Sequence, residues 1–345
     1  MNRRLGVDVN GPSLMRSRKR KLAGLVIGAI LLLISMLCSV LYGLHHFGLQ
    51  DLWQAYSQFD GSNEHLVITT ARVPRTLVAA LVGASLAVAG AIMQVLTRNP
   101  LASPSVFGVN AGAVLFIVIG LLAFGSSLTM SGMVWLAFAG AVATSAAVYT
   151  LGLQGGGFEP VKLTLAGACM AAFASSITAG IILINKQSLE SVLFWMIGSV
   201  EGRNVEHLLM VLPYIAAGLA ISLLLAGSLN IMALGDDGAK NLGQRLTLVR
   251  VLSAAAIVLL AGSSVAAAGP IAFIGLIVPH LCRYIIGHDF RWLLPYTALV
   301  GAILLVTADL ASRFILESKE VPVGVATAII GVPFLIHVAR RKQHA

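Results

Sequence analysis

The sequence predicts an all-α protein that crosses a membrane with about ten helices. Of its 345 residues, 58% are hydrophobic and only 11% are charged, and the mean hydropathy is +0.91. A soluble domain carries about 25% charged residues. The charges are also clustered between long apolar runs, and a helix needs about 20 apolar residues to cross the hydrocarbon layer. Because lipid offers no partner to backbone polar groups, continuous runs of this length are expected to be helices.

The first predicted span, residues 22–44, follows a basic segment at residues 1–21. A signal peptide has an apolar region of about 7–15 residues, so we interpret this longer run as a retained membrane span. Two further spans share the uncharged stretch between Arg98 and Glu159, and GSSLTMSG at residues 125–132 predicts the turn between them. The predicted spans are residues 22–44, 73–97, 105–124, 132–152, 161–184, 207–228, 249–268, 271–287, 292–312 and 322–339.

Apolarity alone allows nine or ten spans, because Gly269 and Pro270 interrupt the run between Arg250 and Arg283. The distribution of basic residues favours ten. Cytoplasmic segments are enriched in Lys and Arg, and these residues concentrate in the N-terminal segment and again at residues 340–342. If both termini are cytoplasmic, the number of spans is even.

This topology gives one transmembrane domain at residues 22–340, between a cytoplasmic N-terminal segment (1–21) and a cytoplasmic tail (341–345). A polar cytoplasmic loop at residues 229–248 joins the sixth and seventh spans. The apolar stretch 189–200 is too short to span the membrane. It is predicted to form a short helix that lies at the outer surface or dips back into the membrane.

Phosphate-binding and catalytic motifs are missing from the sequence. Its nearest approach to a P-loop, GDDGAKN, lacks the required spacing and the Ser or Thr. Neither H-E-x-x-H nor G-x-S-x-G occurs, so no catalytic residue is assigned. Cys38, Cys169 and Cys282 lie far apart and predict reduced thiols rather than a metal site. The net charge of +9 lies in short segments between apolar runs, which indicates membrane orientation rather than a nucleic-acid partner.

Asp309 is the clearest ionisable residue inside a predicted span. An acid at such a position is a candidate for function by default. Arg313 follows four residues later, one helical turn away, where an ion pair can form. The sequence leaves a functional acid and a structural ion pair both open. The scarcity of other acids in the spans disfavours a transporter that is driven by its own ion gradient.

Several stretches resemble one known family, in the same order along the chain. Residues 72–113 contain R-x-P-R, Q-x-x-x-x-N-P-L-A-x-P and G-x-x-x-G, residues 233–243 read ALGDDGAKNLG, and residues 269–283 read GPIAFIGLIVPHLCR. Together with the last two spans, these stretches resemble the FecCD family. Its members are the membrane subunits of type II ABC importers for ferric siderophores, haem and vitamin B12. The likeness covers residues 65–340, nearly the whole chain.

The resemblance implies a type II ABC importer permease fold in a bacterial plasma membrane, with both termini cytoplasmic. It implies a dimer with a second permease subunit, identical or paralogous, and a substrate path along their interface. Two cytoplasmic ATPase subunits would bind ATP and magnesium, so this chain is expected to hold no cofactor and to be no enzyme. An extracytoplasmic binding protein would deliver a ferric siderophore. Vitamin B12 or haem as cargo, and an ion-coupled secondary transporter, are the alternatives.

The loop at residues 229–248 is, by this resemblance, the segment that contacts the ATPase. Asp236 or Asp237 can N-cap a short helix that Gly243 would end. Small and apolar residues recur there at every fourth position, which gives one face suited to docking. The residues assigned to this contact are Leu234, Gly235, Asp236, Asp237, Gly238, Ala239, Leu242 and Gly243.

Three arginines are the expected contact with the binding protein. In the family, arginines of the R-x-P-R and A-x-R motifs face acidic residues of that partner, and these positions are Arg72, Arg75 and Arg313 here. The planar guanidinium suits this contact because it pairs with a carboxylate through two hydrogen bonds. An alternative is that these arginines only extend to lipid headgroups. The residues themselves assign no chemistry to Asn99 or His280.

Overall fold

All regular secondary structure in the described part of the chain is helical, as the sequence predicts. The computed structural model describes residues 15, 17–43, 45–153, 158–184, 195–315 and 320–341. Each predicted span corresponds to one helix. These helices are α1 (Arg18–Leu41), α4 (Val73–Leu96), α5 (Val109–Phe124), α6 (Met130–Gly152), α7 (Pro160–Ile184), α8 (Val205–Met232), α10 (Leu246–Ala268), α11 (Ile274–Ile286), α12 (Phe290–Ser312) and α13 (Val323–Arg341). Short helices between them are α2 (Leu49–Ser57), α3 (Asn63–Leu66) and α9 (Asp236–Asn241).

The helices differ in length, and within the described residues seven are long and apolar enough to cross a membrane. Helices α5, α11 and α13 are shorter. The 13 residues of α11 rise about 20 Å, which is less than the roughly 30 Å of hydrocarbon. The predicted span at 271–287 is therefore only partly helical. It begins within an irregular connection from Gly269 to Phe273, both of which have positive φ angles (71° and 70°).

Two helices begin more than three residues before their predicted spans. The Ser17 hydroxyl accepts a hydrogen bond from Arg20 N (3.2 Å) and caps α1, which therefore starts at Arg18 rather than residue 22. The basic side chains of this first turn can extend to the headgroup region. Helix α4 continues backwards through a π-helical stretch (Val67–Arg72) into α3, so the second span is one helix from Asn63 to Leu96.

Helices α4 and α10 form the centre of the bundle, and α1 and α7 lie at its periphery. In the most apolar 18 residues, 78% are buried in the α3–α4 helix and 72% in α10, against 17% in both α1 and α7. Glycines permit the central contacts. A Cβ on Gly83 would lie 2.3 Å from the Gly301 carbonyl oxygen of α12, and one on Gly90 would lie 1.9 Å from the Gly275 oxygen of α11. Small residues thus let the helix backbones pack directly.

Each end of the bundle is named here after an acidic residue. The Asp236 end carries α9 and the start of α12, where Asn230 Nδ2 of α8 donates a hydrogen bond to Asp289 Oδ1 (2.7 Å). The Asp309 end carries the end of α12 and the start of α13, where Gly324 N donates to Gly198 O (3.1 Å). The predicted topology makes the Asp236 end cytoplasmic.

The described part of the predicted outer segment dips into the bundle. Residues 195–197 are helical, and both Trp195 and Val200 are buried. Ser199 N donates a hydrogen bond to the Ala268 carbonyl (2.8 Å) at the end of α10. Residues 189–194 of the predicted short helix lie outside the described residues.

Candidate functional sites

The loop at the Asp236 end contains the short helix that the sequence predicts, but its cap differs. Gly235 is the N-cap, with φ at 96°, and it has no side chain to accept a hydrogen bond. The prediction that Asp236 or Asp237 caps α9 is therefore wrong. Both acids lie in the first turn, where their charge is favourable to the helix dipole. Gly243 follows the helix with φ at 73°, so its predicted role as the stop is confirmed.

Asp236 ties α9 to two other elements of this end. Its carboxylate pairs with Arg250 of α10 (2.5 Å) and with Arg98, which follows α4. The Arg250 guanidinium also lies 4.4 Å from the centre of the Phe158 ring. Partial burial raises the pKa of Asp236, but the hydrogen bond and charge of Arg250 and the charge of Arg98 outweigh this and hold the pKa below its ordinary value. The helix is therefore fixed rather than loosely attached.

The predicted contact face of α9 is exposed. Leu234 and Leu242 are 59% and 61% exposed on either side of the helix, and Gly238 lies between them half-buried. These three residues are called the leucine patch below. Ala239, also assigned to the contact, points inward and is buried. Exposed leucines that flank a fixed helix suit the groove of a partner protein.

Polar side chains behind this loop connect α4 to α11. Gln94 Oε1 accepts a hydrogen bond from Arg283, and its amide nitrogen donates to the Gly275 carbonyl (3.3 Å). Asn99 Oδ1 accepts from Leu101 N (3.0 Å), which shapes the turn after α4. His280 lies edge-on against Phe334 of α13, with ring centres 5.9 Å apart.

Asp309 is fully buried at the other end of the bundle and lies between two arginines. Arg313 Nη2 donates to Asp309 Oδ2 (2.5 Å), which confirms the predicted ion pair. Arg75 of α4 is a second partner. Its Nε lies 3.1 and 3.0 Å from the two carboxylate oxygens, and its Nη2 lies 2.8 Å from Oδ1. The sequence does not reveal this pair, because 234 residues separate its members.

The other hydrogen bonds of Arg313 and those of Arg72 hold the end of α1. Arg313 Nη1 donates to the carbonyl oxygens of Ser39 (2.7 Å) and Tyr42 (3.1 Å). Arg72 Nη1 also donates to the Tyr42 oxygen (2.5 Å), and its Nη2 donates to the His45 oxygen (3.2 Å). The two side chains therefore satisfy backbone carbonyls in and just beyond the last turn of α1.

The three predicted docking arginines are therefore directed inward rather than outward. Arg72 and Arg75 are each 9% exposed and Arg313 is 1% exposed. Their role in docking stays a prediction. Glu320, which the sequence analysis does not single out, pairs with Arg75 and keeps 16% of its side chain exposed. The pKa of nearby Glu201 is raised, mainly because burial withdraws its carboxylate from water and secondly because Glu320 is negatively charged.

Metal-binding clusters are not found among the described residues: no group of three or more His, Cys, Asp or Glu side chains could hold an ion there. Cys38, Cys169 and Cys282 are free thiols, and Cys169 is exposed.

The charged groups that the structure adds to the predicted sites are Arg98, Arg250, Arg283 and Glu320. Arg98 directly precedes the N-P-L-A motif, and Arg283 is the last residue of the matched segment 269–283. Their position in the motifs is therefore a signal that could have identified them.

The sequence has relatives along nearly its full length. It matches the FecCD transport family over residues 31–341. It is 50% identical over 314 residues to the probable siderophore transport system permease protein YfiZ of Bacillus subtilis (strain 168), covering 90% of this chain and 94% of that protein. It is 45% identical over 332 residues to the Fe(3+)-citrate import system permease protein YfmD of the same organism, covering 96% of this chain and 98% of that protein.

The fold has a solved counterpart. A structure described as an inward-facing conformation of a metal-chelate type ABC transporter superposes with a TM-score of 0.82 at 29% sequence identity. The match covers 93% of this chain and 99% of the other. The similarity therefore extends over nearly the whole chain.

Proposed function

Because the chain belongs to the FecCD transport family, we propose that it is the membrane-spanning permease subunit of an ABC importer that carries a ferric siderophore into the cytoplasm. The observation that carries this proposal is the extent of the family match, which runs from within α1 to the end of α13 and includes α9. Membrane-spanning helices without a P-loop suit a subunit that does not hydrolyse ATP itself.

The proposal requires partner subunits. Two cytoplasmic ATPase subunits would bind ATP and magnesium and would contact the leucine patch. A second permease subunit, identical or paralogous, would complete the transmembrane path. Exposed leucines flank a helix that Asp236 holds to two arginines, and this supports the ATPase contact. A helix that is held rigidly can pass a movement of the ATPase on to the rest of the subunit. The membrane would be the bacterial plasma membrane, with both termini and the Asp236 end in the cytoplasm.

An extracytoplasmic binding protein would dock at the Asp309 end. We propose that Arg75 takes part by exchanging Glu320 for a carboxylate of the binding protein. Glu320 is the more exposed of the two carboxylates on Arg75, since the side chain of Asp309 is only 1% exposed. Arg72 and Arg313 would support docking by holding the end of α1 in place, through the carbonyl oxygens that they bind.

The proposed cargo is a ferric siderophore, since YfiZ is named for siderophore transport and YfmD for Fe(3+)-citrate import. The iron travels inside its chelator, so the permease needs no iron ligands of its own. Vitamin B12 and haem remain the alternative cargoes. An ion-coupled mechanism has less support, because Asp309, the acid that suggested it, is paired with two arginines.

Reconstituted uptake tests this function. The full-length chain, its ATPase and its binding protein are placed in proteoliposomes, and accumulation of radioactive iron supplied as ferric siderophore, ferric citrate or haem is measured, with labelled vitamin B12 in parallel. We expect uptake of a ferric siderophore that requires ATP and the binding protein. Uptake that persists without ATP and collapses with the proton or sodium gradient would contradict the proposal.

A further inference from the structure

A groove of about 510 Å³ opens at the Asp236 end, between the first turns of α1 and α12. Its lining includes Arg18 and Lys21 of α1 and Arg291 and Trp292 of α12, with Leu25 one turn further along α1. The volume is in the range of small-molecule sites, about 300–1,000 Å³. This groove, called the basic groove below, has no part in the transport proposal.

Among the residues that the structure describes, the lining of the basic groove carries more positive than negative charge. None of the ion pairs among the described residues includes Arg18, Lys21 or Arg291. Asp289 also lines the groove, but its Oδ1 accepts hydrogen bonds from Asn230 Nδ2 (2.7 Å) and from Arg291 N (3.1 Å). Three cations therefore share the groove with one carboxylate, and this net positive charge favours an anionic ligand.

The walls of the groove are fixed by contacts between the two helices. Tyr296 Oη of α12 donates a hydrogen bond to the Lys21 carbonyl oxygen (2.7 Å). A Cβ on Gly24 would lie 2.3 Å from that hydroxyl, so glycine is needed for this approach. Met15 N, before α1, donates to the Ile285 carbonyl oxygen (3.0 Å). The basic residues of α1 are thus held on a fixed backbone rather than on a loose tail.

The surroundings of the groove change from charged to apolar along α1. Leu22, Val26 and Ile30 are 49%, 59% and 51% exposed on this helix, as expected of a surface that faces lipid. Lys21 Nζ lies 5.9 Å from the centre of the Trp292 ring, and Trp is enriched where membrane and water meet. The cations therefore lie at headgroup height, directly beside a surface for acyl chains.

We propose that the basic groove binds the phosphate of an anionic phospholipid, such as phosphatidylglycerol, with its acyl chains along the exposed face of α1. Basic pockets between membrane helices on the cytoplasmic side are suited to such headgroups. This inference goes beyond the transport function, because it depends on neither the cargo nor the partner subunits.

Native mass spectrometry of the full-length chain in detergent tests this site, with phosphatidylglycerol or phosphatidylcholine added. The variant R18Q/K21Q/R291Q is expected to bind phosphatidylglycerol about 100-fold more weakly, since each basic side chain near the headgroup contributes about fivefold. Its retention of phosphatidylcholine should not change. The control K19Q/R20Q removes charge from the same turn of α1 outside the groove, and it should bind phosphatidylglycerol as the wild type does.

Three results would overturn the assignment. One is equal loss of phosphatidylglycerol from the triple variant and the control, since that would mean a diffuse charge effect. Another comes from the unfolding temperature of the wild type, measured with phosphatidylglycerol and separately with inorganic phosphate. An equal rise with both would mean that the groove is a site for free anions. If the triple variant does not fold, R291Q alone decides, with about a fivefold loss expected and wild-type retention contradicting the proposal.

Discussion

At the scale of single residues, the stability of the Asp309 end depends on the pairing of its buried charges. Asp309 is fully buried, and burial of a carboxylate is costly unless charged donors surround it. Arg75 and Arg313 both donate to it. Loss of one member of such a group leaves a charge unpaired and typically costs about 3–5 kcal/mol. The arginines are therefore structural in this conformation, whatever further role docking gives them.

The exchange of Glu320 for a partner carboxylate can be tested by Glu320→Gln. This change removes the internal competitor for Arg75, so we expect the binding protein to bind about fivefold more tightly, in line with about 1 kcal/mol for a partly exposed ion pair. Affinity is measured by surface plasmon resonance on the transporter in nanodiscs at several salt concentrations.

The matched control for this change is Glu159→Gln. It removes the same charge from an exposed pair with Lys162, at the end of the bundle where Phe158 packs on Arg250. Its effect on affinity should be negligible. Unchanged or weaker binding of the Glu320→Gln variant contradicts the exchange, and it would leave Arg75 with a purely structural role.

At the scale of helices, glycine determines how closely α4 packs against its neighbours. The backbone of α4 touches that of α12 at Gly83 and that of α11 at Gly90. These contacts position both ends of α4. Arg75 lies in its first turn and pairs with Asp309, and Arg98 follows its last turn and pairs with Asp236. The length of its apolar run identifies α4 as a helix. Its central place is explained only by its glycines together with the backbones that they contact.

The helix packing predicts opposite outcomes for two glycine-to-alanine changes. Gly90→Ala places a Cβ 1.9 Å from the Gly275 oxygen, so we expect a loss of about 1–3 kcal/mol of stability from the forced separation of α4 and α11. Gly180→Ala, in α7, meets nothing within 4 Å and should be neutral or stabilising by up to about 1 kcal/mol. Thermal unfolding in detergent measures both. Equal unfolding temperatures for the two variants would argue against this packing.

At the scale of the whole molecule, the same helices connect the two candidate sites. Helix α4 starts beside Arg75 and ends before Arg98, which binds Asp236. Helix α12 starts after Asp289 and contains Asp309 near its other end. A displacement of α9 can therefore reach the Asp309 end through continuous packed helices rather than through flexible loops.

The leucine patch makes a prediction about coupling. Leu234→Asp and Leu242→Asp should abolish ATP-dependent uptake and co-purification of the ATPase subunits, because each places a charge in an apolar contact. Membrane insertion should be unaffected, since both side chains are exposed. Leu49→Asp is the control, since it alters a leucine of similar exposure (63%) on α2. Wild-type uptake by both patch variants would exclude α9 as the coupling segment.

The sequence by itself determined the membrane class, the ten helical runs, the family, and the polar loop that contains α9. These features depend on apolar length and on local motifs, both of which can be read along the chain. It also indicated that Asp309 and Arg313 can pair, because one helical turn separates the two residues, but it left a functional role for the acid open.

Only the tertiary structure decided which partners the charged groups have. Arg75 reaches Asp309 across 234 residues and Arg98 reaches Asp236 across 138 residues, and no local pattern encodes such distances. Likewise, the sequence could suggest that Asp236 caps α9, but the backbone of Gly235 took that position and left the carboxylate to the two arginines. The physical reason is that a buried charge must be paired, while the partner is selected by helix packing rather than by sequence neighbours.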